Sequence, residues 1–482
     1  MKKGSGFGKF SLFLLLIPSL LVTGCSRCGI PKNAGKTDVL IVGGGISGLV
    51  TAHLLKKEGL TYKILELRPR VGGRIQTARY PGNISVEAGL EEFWEGNRAI
   101  ELLHEFKIPL TSVAPHSSVV VGGKLYPYIQ ESVDEYLEAL FQKGEIEKLK
   151  NWEKETLKIV DKIRGRQLEA LWHLKEISFG EWVRRSGLPQ KVQEWIRVTL
   201  EVEIATGWDS LSALDGIDEW EKFIGKGQTG YEVEGGNQRL VDALVQSIGS
   251  RNILVNTQVK SIRSTTDGVH ITVMETSTLV HKDYEADFVV VTAPLFRLPF
   301  EVQFDPQLSS KVQEAIAAQN WGAYFTAHLF LNPAAEKYWM IDGVNTLAIL
   351  SDGPLGVIYD GNAEEKSPPY RVLNFLCTGA YAEGFNLQPL PAVRQELETA
   401  LEKFWPGISQ YVKKWEFFRY HPRAIAGWPV GRSRFDELSE EVRKPQGRLY
   451  FAGDFTENTH SDGAVQSAYR VVQGIVQHKK EP

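Results

Sequence analysis

The chain has 482 residues, 43% of them hydrophobic and 24% charged, with a net charge of −4. These are ordinary values for a globular protein of two or three domains. The charge balance leaves no basic footprint for a nucleic-acid partner, and three cysteines, Cys25, Cys28 and Cys377, cannot build a disulfide framework.

The first element is a targeting segment. Lys2, Lys3 and Lys9 precede an apolar run over 10–22, too short for a comfortable transmembrane span. The run ends in Val22-Thr23-Gly24-Cys25, which resembles a bacterial lipobox. On that reading residues 1–24 are a lipoprotein signal peptide, and Cys25 carries lipid on the cell envelope. Ser26 after it points to the outer membrane, and 25–36 is a tether. No Arg pair precedes the run, so twin-arginine export is not signalled.

A buried strand follows at 39–42, a helix at 47–58 closed by Gly59, and a strand at 62–67, together half of a parallel βαβ unit. Residues 97–226 read as mostly helical. A helix is expected at 238–248, then strands at 253–255, 259–263, 269–273 and 288–292, the last ended by Pro294. Further strands are expected at 323–331, 345–350 and 370–377, a last buried strand at 448–452 and a last helix at 464–477.

Gly43-x-Gly45-x-x-Gly48 joins the first strand to the first helix. Gly43 permits the tight turn, Gly45 admits a pyrophosphate to the backbone, and Gly48 allows close helix–strand packing. Ile46 and Ser47 place free N–H groups at the positive end of the helix. Glu66, at the end of the second strand, stands where a carboxylate accepts hydrogen bonds from ribose hydroxyls. Arg68, Gly73 and Arg74 follow, and the Arg74 guanidinium can pair with phosphate.

These stretches, 38–49, 65–66 and 70–75, resemble the flavin-containing amine oxidoreductase superfamily of monoamine and polyamine oxidases, L-amino-acid oxidases, protoporphyrinogen oxidase and desaturases. The resemblance returns at 235–240 with Val259, at 289–295, and at 450–454 with Gly463, Ala464 and Val465. It implies an α/β fold. A discontinuous Rossmann-type FAD-binding domain would span 37–96, 230–298 and 445–482. A substrate domain of mixed sheet and helices would span 97–229 and 299–444. Gly453 and Asp454 would meet the ribityl or pyrophosphate region, and amides near Ala464 and Val465 the flavin C2 carbonyl. No Cys stands where covalent attachment occurs in monoamine oxidases, so the FAD would be non-covalent.

The family's lysine after the re-entering strand is missing. Pro299 or Glu301 stands there, and Arg297 nearby is a poor proton relay. The two positions of the monoamine oxidase aromatic pair hold Ala424 and His460, with Trp428 close to the first. His460 either exchanges a proton near neutral pH or packs on the ring. Glu91 or Glu92 either pairs with a cationic amine or forms a solvated acidic turn. No arginine precedes Arg98 in that loop, which disfavours the L-amino-acid oxidase subgroup. Residues 423–431 are also similar to the protoporphyrinogen oxidase and desaturase branch. The expected reaction is hydride removal from an amine-type substrate, with reoxidation by oxygen or another acceptor. The alternatives are dehydrogenation of an apolar substrate and a non-catalytic FAD-bound envelope lipoprotein.

Overall fold

Strand Thr37–Val42 alternates between two cores. Val39 and Ile41 face one of them, with Leu49, Leu240 and Val465; Leu40 and Val42 face the other, with Ile271, Val291 and Phe451. A strand apolar on both faces must lie inside a sheet covered on both sides. The computed structural model describes residues 36–113, 117–130, 132–223, 229–363, 368–419 and 422–480. The signal peptide, Cys25, Cys28 and most of the tether lie outside the described residues.

The parallel part of the first sheet runs in the order Ile253–Leu254, Tyr62–Leu65, Thr37–Val42, His281–Val291, Leu449–Phe451. The outer half of His281–Val291 turns into an antiparallel meander with Val269–Glu275 and Thr257–Ser264. Helix Ile46–Lys57 packs between Gln238–Ile248 and His460–Lys480. The first and last described helices therefore meet on one face of this sheet.

The second sheet runs Val412–Phe418, Tyr324–Leu331, Arg371–Thr378, Val357–Asp360, Ile349–Leu350, Ser118–Val121, Lys124–Tyr126. Phe325, Leu329 and Phe375 fill one side of it. Helices between Val133 and Trp220 form a further core around Trp152, Phe179 and Trp220, with ring centroids 6.0 Å apart for the two tryptophans and 6.5 Å for Phe179 and Trp220.

Residues 97–226 are mostly helical, as their pattern predicts, but Ser118–Val121, buried throughout and β-branched at three positions, joins the second sheet, and Leu110–Val113 pairs with Gly230–Val233. One expectation is corrected here. Gln303–Asp305, expected in the substrate part, pairs in parallel with Thr257–Ser264 in the first sheet. The described residues pack as one compact unit. Among the described residues no helix is long and apolar enough to cross a membrane.

Candidate active site

The glycine turn sorts its three glycines by what surrounds them. Gly43 has φ +110°, and a Cβ there would meet Thr292 Oγ1 at 2.6 Å. That hydroxyl donates toward the Val42 and Gly43 carbonyls at 3.1 and 3.0 Å. A Cβ on Gly48 would lie 2.1 Å from the Gly43 carbonyl oxygen, so only glycine lets the helix approach. Gly45 is different: nothing stands within 4 Å of its Cβ position. It begins helix Ile46–Lys57 with no side-chain cap and no acidic residue in the first turn. The free N–H groups there, with the positive helix end, suit a diphosphate.

Gly43, Gly45, Ile46, Ser47, Glu66, Arg68, Gly73, Arg74 and Val259 line one cavity of about 740 Å³. The Glu66 carboxylate accepts from the Gly44 amide at 2.6 Å and the Arg68 amide at 2.7 Å. It has acceptor capacity left for ribose hydroxyls. The far end of the chain closes the cleft. Ser47 Oγ lies 3.1 Å from Ser467 Oγ, which accepts from the Gly453 amide at 2.8 Å. Gly453 and Ala464 are on the wall.

Four expected contacts are corrected. Asp454 does not reach the wall: its side chain is 1% exposed and forms a two-pronged ion pair with Arg74, 2.7 Å on each prong. Arg74 borders the cavity and also bonds the Ala424 carbonyl. Asp454 thus acts on the cleft through Arg74. Gly463 and Val465 pack behind the wall: a Cβ on Gly463 would meet the Asn458 carbonyl at 2.0 Å, and Val465 is in the core. Trp428 is buried away from this cavity, its indole N–H donating to Ser439 Oγ at 3.0 Å. An indole needs a hydrogen-bond partner when buried, and this one found it in the core.

Beyond the glycine turn the cavity carries Glu91, Glu92, Glu203, Glu219, Tyr324, Tyr359 and His460. Glu219 holds His460 Nε2 at 2.6 Å, Lys222 Nζ at 2.8 Å and Thr459 Oγ1 at 2.9 Å. Burial pushes its carboxyl up, but Lys222 and His460 outweigh that and hold it well below the ordinary range. As an ionised acceptor it fixes the proton on Nε2 and leaves Nδ1 of His460 as the basic nitrogen. Glu91 accepts from Asn374 at 2.6 Å, and burial raises its carboxyl well above the ordinary value. Tyr324 donates to the Glu203 carbonyl at 2.8 Å.

The sequence reading missed Glu203, Glu219, Tyr324 and Tyr359. A signal for one of them exists. Glu203 stands among buried Leu200, Val202 and Ile204, a charge placed on an apolar stretch. Tyr324 and Tyr359 come from sheet strands whose position over the glycine turn no local pattern reports.

The same burial predicts a pH dependence. It pushes Glu87 and Glu92 up to about 8 from an ordinary 4.5. Between those values the unfolded chain has lost protons that the folded chain keeps, so stability falls as pH rises through that window. Relative to the unmodified chain, the Glu92→Gln apoprotein should gain roughly 2–4 kcal/mol at about pH 9 and nothing near pH 4. Urea unfolding at the two pH values reads this; an equal offset at both would contradict it.

A parallel βαβ cleft opening into a chamber of carboxylates, tyrosines and one histidine defines a dinucleotide-dependent oxidoreductase. Residues 46–476 match the family model for flavin containing amine oxidoreductase. The chain belongs to that family and is a flavoenzyme. It is 23% identical to an L-amino-acid oxidase of Echis ocellatus over 94% of this chain and 91% of that protein. It is 22% identical to a probable flavin-containing monoamine oxidase A of Dictyostelium discoideum, over 91% and 97% respectively. Among solved structures, a double mutant of putrescine oxidase superposes with TM-score 0.75 at 19% identity, covering 92% of this chain and 99% of that one. Cyclohexylamine oxidase from Brevibacterium oxydans IH-35A superposes with TM-score 0.74 at 16% identity, covering 93% and 100%. These likenesses show the fold, including the mixed sheet and the helical part.

Proposed function

We propose that this protein binds FAD non-covalently and oxidises the C–N bond of an amine. The observation that carries the reading is that the open glycine turn and the acidic chamber share one cavity. The cleft suits a flavin dinucleotide: an uncapped helix N-terminus, open space at Gly45 and the Glu66 carboxylate on the wall. Bound there, the flavin supplies a hydride acceptor for the α C–H bond of the amine.

The chain's own residues prepare the substrate. An ammonium ion has no lone pair and cannot form a C=N bond, so its proton must leave first. His460, on the wall with Nε2 held by Glu219, offers Nδ1 for that proton. The neutral amine then loses a hydride from its α-carbon while the nitrogen lone pair closes the C=N bond. Water converts the iminium to a carbonyl compound and ammonia or a smaller amine. Oxygen or another acceptor takes up the two electrons. Tyr324 and Tyr359 give the chamber apolar faces that exclude water and orient the chain of the substrate.

The acidic chamber favours this reading over an apolar substrate, for which ionisable carboxylates are costly neighbours. It also favours an amine over a substrate clamped by its carboxylate. The cavity's arginines away from the dinucleotide end are engaged: Arg297 pairs with Glu301, Arg423 stacks on Phe296, and Arg419 bonds the Gln388 carbonyl. The test is anaerobic. The yellow full-length protein receives primary amines, polyamines, L-amino acids or porphyrinogens, and its visible band is followed. Bleaching by amines is expected; bleaching only by porphyrinogens or only by amino acids would replace the reading.

The lipobox supports export and a lipid anchor on Cys25 in the bacterial envelope. Cys25→Ser should move the protein from the membrane fraction to the soluble one; an unchanged membrane fraction would remove the anchor.

A further inference from the structure

The carboxylates of the cavity differ in how they are satisfied. Glu219 has three donors, Glu66 has two backbone amides, and Glu91 has the Asn374 amide. Glu92 and Glu203 have neither a hydrogen bond nor an ion pair among the described residues, although both are on the wall and out of bulk solvent. They come from different elements, the loop before Phe93–Trp94 and helix Gln190–Ile204, and the charge of Glu203 acts on Glu92. The basic side chains nearest Glu203, His460 and Lys222, are both bound to Glu219.

We infer that Glu92 and Glu203 form a receptor for a second ammonium group, so that the substrate is a dication: a diamine or a longer polyamine. The inference rests on the amine reading and adds to it. A nitrogen held as an ammonium ion by carboxylates has no lone pair, so it is not the nitrogen being oxidised. The oxidised nitrogen gives its proton to His460; the one held by Glu92 and Glu203 keeps its own. A substrate that fills both places carries two amines.

The physical driving force is the unmet pairing of the two carboxyl groups. Buried carboxylates without a partner are costly, and folded proteins retain them where a ligand completes the pair. Burial raises both groups, Glu92 to about 8; Glu203 and Glu232 raise Glu92 further, whereas His460 and Lys222 pull Glu203 back down against Glu219. Glu92 faces Glu91, Glu203, Glu232 and Tyr359; Glu203 faces Glu219, His460, Lys222, Tyr324 and Tyr359. An arriving ammonium reverses that repulsion and forms charge-assisted hydrogen bonds to both oxygens.

The experiment compares amines matched in length. The flavin-loaded full chain, in detergent, is mixed anaerobically with 1,4-diaminobutane or n-butylamine, and with 1,8-diaminooctane or n-octylamine. Flavin bleaching is followed by stopped flow. At one length or the other the diamine should be better by about tenfold to a hundredfold in reduction rate over dissociation constant. The double substitution Glu92→Gln with Glu203→Gln should bring the ratio to within about twofold. Equal or better monoamines at both lengths would overturn the inference and leave the amine reading standing. A diamine preference that survives the double substitution would overturn it too. Should no amine bleach the flavin, the amine reading fails by itself. Binding is then read from the perturbed flavin band: tighter diamine binding that the double substitution abolishes keeps the dication receptor, and equal binding ends it. Should the variant not fold, the matched comparison on the unmodified chain decides.

Discussion

Arg74→Ala should destabilise the apoprotein by about 3 kcal/mol, measured by urea unfolding near neutral pH. Asp454 is 1% exposed and its carboxylate takes both of its side-chain hydrogen bonds from the Arg74 guanidinium. Removing one member of a buried pair leaves the other charge without compensation, which costs about 3–5 kcal/mol. The low end applies because Arg74 borders the cavity and is 41% exposed, so solvent already screens part of the attraction. Asp454→Ala should cost less, since Arg74 keeps the Ala424 carbonyl and reaches cavity water. The double substitution should recover most of the loss, because it removes the stranded charge together with its partner. If Arg74→Ala and the double substitution unfold at the same urea concentration, the pair is not the tie between the 70–75 loop and the C-terminal segment described here.

Gly45→Ala and Gly48→Ala, one helical turn apart, should fail in different ways. At Gly48 the new methyl would sit 2.1 Å from the Gly43 carbonyl oxygen and 3.1 Å from Thr292 Oγ1. A backbone oxygen held in a tight turn cannot give way. The helix must back off the sheet, at a cost of about 3 kcal/mol or more. At Gly45 the backbone is extended, with φ −73° and ψ −178°, and nothing lies within 4 Å of the Cβ position. Alanine fits there, and the apoprotein should keep its stability to within about 0.5 kcal/mol. That methyl would stand in the space over the first-turn N–H groups, where a diphosphate must approach. Flavin affinity should fall by at least about tenfold. Denaturation and flavin titration on the same two proteins separate the cases. A Gly45→Ala protein that binds flavin like the unmodified chain would move the diphosphate away from this turn.

The parallel strands and the helices around the cleft were legible in the sequence because their signals are local. The run over 39–42 is apolar at every position, Gly59 stops the first helix, and 238–248 keeps a clean helical period that the structure reproduces as Gln238–Ile248. The polar half of His281–Val291 was not legible, since an exposed antiparallel strand shows no buried face. Helix Leu390–Phe404 and strand Val412–Phe418 were passed over for a related reason, being half-exposed elements rich in charge.

By itself, then, the sequence determined that a dinucleotide turn opens the described chain and that a matching segment closes it, because glycine spacing and β-branched runs act through nearest neighbours. Only the tertiary structure decided what lines the cavity beyond the glycine turn. It turned Trp428 into the core, bound Asp454 to Arg74, and brought Glu92, Glu203, Tyr324 and Tyr359 together from four elements. The reason is that a side chain's charge state and partners depend on what is packed across from it, and contacts between residues hundreds of positions apart leave no periodic trace in the chain.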